Sequence, residues 1–273
     1  MKITVIGTGV MGSGIAQCLA THGFEVCCHD INPAQLERAA KMIENGRYGL
    51  ARAVERQKLT AEQADGTRQR LSYSAKLDEA VNDASIVLEV VPEQFDIKID
   101  TLRKVEELTP RATILATNTS GMSVEALAAS TGRAERVIGW HWASPPPVMK
   151  MAEIVVTRHT AADVTEAIVS AARRCGKNPV VVKDNPFAWG FAANRVINAM
   201  LREARLVVSE GLVDERGLDQ LLVDGWGWPV GPFAMVAGAA SGWGDGWESS
   251  ITQIGKTPAD DKASTASPTS AET

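Results

Sequence analysis

From the first residue to about position 186, short runs of aliphatic and β-branched residues alternate with longer stretches of helical periodicity. Residues 2–7 (KITVIG) are apolar on both faces, as a buried parallel strand requires. A turn, Gly7-Thr8-Gly9-Val10-Met11-Gly12, leads into a helical pattern over 13–22 that Gly23 ends. Residues 24–30 (FEVCCHD) read as a second strand. An amphipathic helix over 32–56 starts with Pro33 in its first turn and is interrupted near Gly46 and Gly49. Another helix opens over 60–66. Strands are predicted at 84–91, 112–118, 136–140, 152–157 and 178–183. Helices are predicted at 97–108, at 124–130 behind a Ser123 cap, and from a Thr160 cap to Arg174, with Gly176 as the stop. Strand–helix alternation of this kind specifies an α/β fold with a doubly wound parallel sheet.

Beyond residue 186 the strand signals cease. Residues 191–211 form one long helical pattern, and Asp214 caps a second helix to 222. Four of the seven tryptophans follow: Trp226, Trp228, Trp243 and Trp247. They read as packing residues for the long helix, or alternatively as a contact between two copies. From Lys256 onward the chain is Thr, Ser, Ala, Pro and charged residues, too poor in apolar groups to offset its ordering entropy. The expected organisation is a first domain at 1–186, a smaller all-α domain at 187–255 and a disordered tail at 256–273.

Charge and composition narrow the function. Across 273 residues the formal net charge is −5 with no basic stripe, which argues against nucleic-acid binding. No apolar run approaches the ~20 residues of a membrane span. Four glycines between positions 7 and 14 interrupt the apolar start, so it does not read as a signal peptide. Cys18, Cys27, Cys28 and Cys175 form no CxxC pair, and there are four histidines. A reducing cytoplasm and no metal site are the expectations.

The glycine turn carries the first chemistry. A GxGxxG motif gains meaning when it follows a strand and opens a helix, as here. Gly7 permits the tight turn, Gly9 lets backbone approach a pyrophosphate, and Gly12 lets helix and strand pack closely. The helix start at Val10 and Met11 offers N–H groups and the positive dipole end to phosphate. Asp30 ends the second strand, where a carboxylate accepts from ribose hydroxyls and repels a 2′-phosphate. The reading is a Rossmann-type domain binding NAD rather than NADP; FAD shares the fingerprint.

Three further groups fall at strand ends or in turns: Asn118-Thr-Ser120, His141 between Trp140 and Trp142, and Glu153. A neutral imidazole can take a proton from a hydroxyl, best when a carboxylate fixes its tautomer. On spacing alone, a core histidine and a surface glutamate would be the plainer account. The segment from Val137 through His141-Trp-Ala-Ser-Pro145-Pro-Pro-Val-Met149-Lys150 to Glu153 resembles the active-site segment of the L-3-hydroxyacyl-CoA dehydrogenase family. So do Glu89-Val-Val-Pro-Glu93 with Lys98, Asn118-Thr-Ser120 and Trp228-Pro-Val-Gly-Pro-Phe233, in order over about residues 1–235.

The resemblance implies His141 as general base, Glu153 as its orienting partner, Ser120 beside the substrate hydroxyl and nicotinamide, and Asn194 lining the pocket. It implies cofactor contacts from Glu93, Lys98 and Ser144; the alternative for Lys98 is a solvated helix charge. The family usually reads His-Phe-Phe-Asn-Pro where this chain has His141-Trp142-Ala143-Ser144-Pro145. In the helix over 32–56 the family offers a small hydroxyl and a lysine to CoA; Gly46 and Ala53 stand there, with Arg47 and Arg52 as substitutes. The expected activity is NAD-dependent interconversion of a 3-hydroxyacyl substrate, on CoA or acyl carrier protein, with its 3-oxo form, by a homodimer. A dehydrogenase of a free 3-hydroxy acid, carnitine- or gulonate-like, and a non-catalytic NAD-binding protein are the alternatives.

Overall fold

The computed structural model describes residues 1–242, with side chains as far as Gly238. Trp243, Trp247 and the tail 256–273 lie outside the described residues. The first compact unit is Met1–Phe191, and the second begins at Ala192.

The first unit contains β1 (Lys2–Ile6), α1 (Val10–Thr21), β2 (Glu25–His29), α2 (Pro33–Asn45), α3 (Leu50–Glu55), α4 (Ala61–Gln69), β3 (Leu71–Ser74) and α5 (Leu77–Val81). It continues with β4 (Ile86–Glu89), α6 (Phe95–Leu108), β5 (Ile114–Thr117), α7 (Val124–Ala128), β6 (Val137–Trp142), β7 (Met151–Val156), α8 (Ala162–Arg174) and β8 (Asn178–Lys183). The eight strands lie in the order β3-β2-β1-β4-β5-β6-β7-β8. All neighbours are parallel except β6 and β7. The doubly wound parallel reading therefore holds for most of the sheet, with β7 and β8 reversed against the rest.

Alternation along the strands builds a core on each face of the sheet. Ile3, Val5, Ile86, Leu88, Trp140, Trp142 and Ile154 pack with Ile15 and Leu19 of α1 and Ile168 of α8. Ile6, Val87, Leu115, Val137 and Val155 face the other way, against Leu102 and Val105 of α6 and Leu127 of α7. Burying a side chain of this size contributes roughly 1.5–3 kcal/mol.

The helix ends follow the local chemistry. Asn32 accepts from the Ala34 N–H with Pro33 at the first helical position, and Thr60 and Gln63 form a reciprocal capping box on α4. The predicted helix over 32–56 breaks at Gly46 into α2 and α3, with Gly46 as the C-cap of α2 and Gly49 as the N-cap of α3. Ser123 caps α7 through the Ala126 N–H. Thr160 does not cap α8: Ala161 holds that position. The Thr160 hydroxyl instead accepts from the Thr157 N–H and donates to the Val137 carbonyl, a turn that competes for the same group. Two elements escape the sequence pattern, the edge strand β3 and the single-turn helix α5.

The second unit shows α9 (Ala192–Ser209), α10 (Glu215–Trp226) and α11 (Pro232–Gly242) among the described residues. Asp214 caps α10 as expected, accepting from the Gly217 N–H at 2.7 Å. Both carboxylate oxygens of Asp219, on α10, accept from the Phe233 and Ala234 N–H groups at the start of α11. Only Leu201 and Ala204 of α9 are buried, and no residue of α10 is. Trp226 is 77% exposed, so it is not the core residue its composition suggested. No helix among the described residues is long and apolar enough to cross a membrane.

Candidate active site

β1 and β4 are neighbours although three strands apart in their connection, which makes their carboxyl ends the point where the sheet reverses direction. The glycine turn leaves β1 there. Gly7 has φ +91°, and a Cβ on it would lie 2.6 Å from the Val90 carbonyl just beyond β4. A Cβ on Gly12 would lie 1.8 Å from the Gly7 carbonyl, so only glycine lets α1 follow the turn this closely. A Cβ on Gly9 would meet nothing within 4 Å, so the cradle is open above that residue. No side chain caps the start of α1 at Val10 and Met11, and its first turn holds no acidic residue. These residues fit a dinucleotide's phosphates.

Asp30, one residue past β2, tightens the same turn. Its Oδ2 accepts from the Thr8 N–H at 3.0 Å and the Thr8 hydroxyl at 3.2 Å, and Oδ1 accepts from the Asn32 N–H. The carboxylate is thus oriented beside the glycine turn, where a ribose would reach it.

At the next carboxyl ends, β4 and β5 carry a buried polar chain. Glu89 and Lys98 are 0% and 1% exposed and joined at 2.8 Å. Glu89 also accepts from the Thr117 hydroxyl at 2.6 Å and the Val91 N–H at 2.7 Å. Burial pushes the Glu89 carboxyl above its ordinary range, against the pull of Lys98. The Lys98 ammonium continues to Glu93 Oε2 at 3.1 Å, and Glu93 Oε1 accepts from the Ser120 N–H at 2.8 Å and the Thr119 hydroxyl. Lys98 is therefore no solvated helix charge. It links a buried carboxylate to the turn that presents Ser120.

β6 and β7 supply the third group. In an antiparallel pair, residues directly opposite share a face. The register sets His141 opposite Glu153, with Nδ1 2.8 Å from Glu153 Oε2 and both side chains buried. An ionised carboxylate only accepts, so Nδ1 is the donor in this contact. The His141 ring lies 5.8 Å from that of Phe191. The Asn118 side-chain Oδ1 accepts from the Trp142 N–H at 3.0 Å, pinning the end of β6 to the end of β5. Because β7 runs backwards, its first half lies at the same sheet edge as the carboxyl ends of β1, β4, β5 and β6.

Trp140 and Trp142 are buried on the opposite face with ring centroids 5.2 Å apart. Lys177 stands over the Trp142 ring and donates to the Pro146 and Met149 carbonyls at 2.5 and 2.7 Å. It holds the 143–150 loop that contains Ser144, a task its sequence position did not reveal. Ser144 is half-buried in that loop. Asn194 stands near the start of α9, in the second unit.

Comparison with known proteins supplies the class. The model of the 3-hydroxyacyl-CoA dehydrogenase NAD binding domain matches residues 2–185, and that of the same family's C-terminal domain matches 190–264. A Bacillus subtilis protein named as a probable 3-hydroxybutyryl-CoA dehydrogenase is 37% identical over 235 residues, covering 86% of this chain and 79% of that one. A Mesorhizobium japonicum protein, 5-formyl-3-hydroxy-2-methylpyridine 4-carboxylate 5-dehydrogenase, is 36% identical over 86% of this chain and 74% of its own. The crystal structure of a Ralstonia eutropha (S)-3-hydroxybutyryl-CoA dehydrogenase aligns with a TM-score of 0.81 at 32% identity, over 87% of this chain and 82% of that one.

Proposed function

Because this chain belongs to the 3-hydroxyacyl-CoA dehydrogenase family, we propose that it interconverts a 3-hydroxyacyl-CoA and its 3-oxo form, with His141 moving the proton. The observation that carries this reading is the cross-strand His141–Glu153 pair at the sheet edge that also bears the glycine turn. NAD would be held by Gly7, Gly9, Val10, Met11, Gly12 and Asp30, and when bound would supply the hydride acceptor. As hydride leaves, the hydroxyl proton passes to His141 Nε2 and the C3–O bond becomes a carbonyl. Glu153 keeps Nδ1 protonated and stabilises the imidazolium. In reduction, the imidazolium returns the proton.

Ser120, its backbone fixed by Glu93, would donate to the substrate oxygen, and Ser144 would help hold the nicotinamide. Glu93 and Lys98 would contact the cofactor near its nicotinamide-ribose side. Asn194 is assigned to the substrate on the family resemblance alone. Arg47 and Arg52, both exposed around the α2–α3 break, suit the phosphates of CoA.

The test is NADH absorbance with purified protein, NAD and L-3-hydroxybutyryl-CoA. His141→Ala should lower kcat by about 10²–10⁴ with NAD affinity retained. Undiminished turnover in that variant would refute the assignment. NAD binding with no turnover on any 3-hydroxyacyl substrate would favour a non-catalytic role.

One observation favours a second reading, a free hydroxy acid as substrate. Gly46 and Ala53 lack the groups the family offers CoA, and the name of the M. japonicum relative carries no CoA. Comparing kcat/KM for the CoA thioester, an acyl carrier protein thioester and the free acid separates the cases.

We also infer a homodimer formed through the second unit. Val196, Leu206, Leu212, Leu221 and Trp226 are all exposed there among the described residues, and the three helices described bury little surface by themselves. A reducing cytoplasm suits the four free cysteines.

A further inference from the structure

At the far end of α1 from the glycine turn, three metal-ligating side chains converge that the proposed reaction does not use. Cys18 and His22 are four residues apart on α1 and so share a face. Cys18 lies nine residues beyond Gly9, about 13 Å along the helix axis from the dinucleotide turn. Cys175 caps the C-terminus of α8, and Gly176, at φ +68°, turns the chain away after it. Arg174 ties the two helix ends together, donating to the His22 carbonyl at 2.8 Å and the Gly23 carbonyl at 2.7 Å. The result is that the Cys18 and Cys175 thiols and a ring nitrogen of His22 all lie within 4.8 Å of one another. Cys18 and Cys175 are buried and His22 is partly exposed.

The donor chemistry is that of a thiophilic cation. A tetrahedral Zn²⁺ has Zn–S of about 2.3 Å and Zn–N of about 2.0–2.1 Å, which separates its ligands by roughly 3.5–3.8 Å. Cys18 Sγ is 3.9 Å from His22 Nδ1, so closing on an ion requires shifts of about an ångström or less. His22 Nδ1 donates to the Cys18 carbonyl at 2.7 Å. On binding, Nδ1 would give up that contact for the ion and the ring proton would move to Nε2. Nε2 faces the Gly176 turn, where an added Cβ would lie 3.8 Å from it. Two thiolates neutralise a dication in this buried setting, and soft sulfur ligands select Zn²⁺ or Cu⁺ over Mg²⁺ or Ca²⁺. Lys177, two residues beyond Cys175, has its ammonium engaged by the Pro146 and Met149 carbonyls. We propose that Cys18, His22 and Cys175 bind one Zn²⁺, with water in the fourth position on the partly exposed side of His22, joining the ends of α1 and α8.

The test uses the full-length protein, reduced and metal-free, titrated with Co²⁺ as a spectroscopic stand-in and then with Zn²⁺. One equivalent of Co²⁺ should give a thiolate-to-cobalt charge-transfer band that Zn²⁺ displaces. Zn²⁺ at about a hundred times its Kd should raise Tm by about 5–10 °C. Cys18→Ser and Cys175→Ser should abolish the band, while Cys27→Ser should keep it. Should either buried-cysteine variant fail to fold, His22→Ala, at a partly exposed position, still decides: Zn²⁺ affinity should fall about a hundredfold or more with NAD binding retained. Absence of the band, a band that survives His22→Ala at full affinity, or a Cys18–Cys175 disulfide in freshly isolated protein would overturn the proposal.

Discussion

Replacing Lys98 by Met isolates the cost of one buried charge. The ammonium lies 2.8 Å from Glu89, 3.1 Å from Glu93 and 3.3 Å from the Val91 carbonyl. Without it, Glu89 keeps two hydrogen bonds, from Thr117 and Val91, but no counter-charge at a position with no solvent exposure. Breaking a buried pair on one side costs about 3–5 kcal/mol. In a unit of some 190 residues this corresponds to a Tm loss of about 6–20 °C.

The loss should depend on pH, and its sign follows from Glu89. Burial already raises that carboxyl above 4.5, and Lys98 is the main group holding it down. In Lys98→Met the folded-state value climbs further while the unfolded one stays. The folded chain then binds the extra proton, and stability falls as pH rises from about 4.5 toward the new folded value, by up to about 1.4 kcal/mol per pH unit. Glu89→Gln combined with Lys98→Met removes both charges and should recover most of the loss. Urea denaturation of the wild type and the two variants at pH 6 and pH 8 measures this. A loss below about 1 kcal/mol at both pH values, or one that the double variant does not relieve, would refute the buried-pair reasoning.

Three further outcomes are expected. Asp30→Ala should narrow the preference for NAD over NADP by about tenfold, or roughly 1–2 kcal/mol, read as the ratio of kcat/KM values; a wild-type preference for NADP would refute the role of Asp30. His29 is buried and donates to the Ser74 carbonyl, and burial holds its ring below the ordinary 6.5. The unfolded chain therefore gains a proton first, stability falls as pH drops through 6.5, and His29→Gln should flatten the slope between about pH 7 and 5 in thermal melts. Trp226→Asp should convert the dimer to monomer in sedimentation equilibrium while leaving NAD binding intact; a dimer of unchanged affinity would place the interface elsewhere.

The dinucleotide turn was legible because its determinants are local: strand, three glycines, helix and Asp30 fall within thirty residues. β3 was not, because Leu-Ser-Tyr-Ser at a sheet edge is only four residues long and buries none of them. The reversal of β7 had a signal that went unused. Only eight residues separate Trp142 from Met151, and a parallel neighbour needs a crossover of about a dozen or more. The burial of Lys98 depends on Glu89 from a different element, and the Cys18–His22–Cys175 cluster spans 157 positions. No periodicity reports such contacts. Thr160 failed as a cap because Thr157 offered its hydroxyl another partner.

The antiparallel register of β6 and β7 has an evolutionary consequence. His141 and Glu153 meet because two strands pair, whereas the residues between them, Ala143 to Lys150, belong to the connection. Insertions or substitutions in that connection can accumulate while the ladder keeps the His141–Glu153 contact in register. A single-residue slip within either strand would instead turn one partner to the opposite face. The connection and the cross-strand pair are thus separately mutable in this fold.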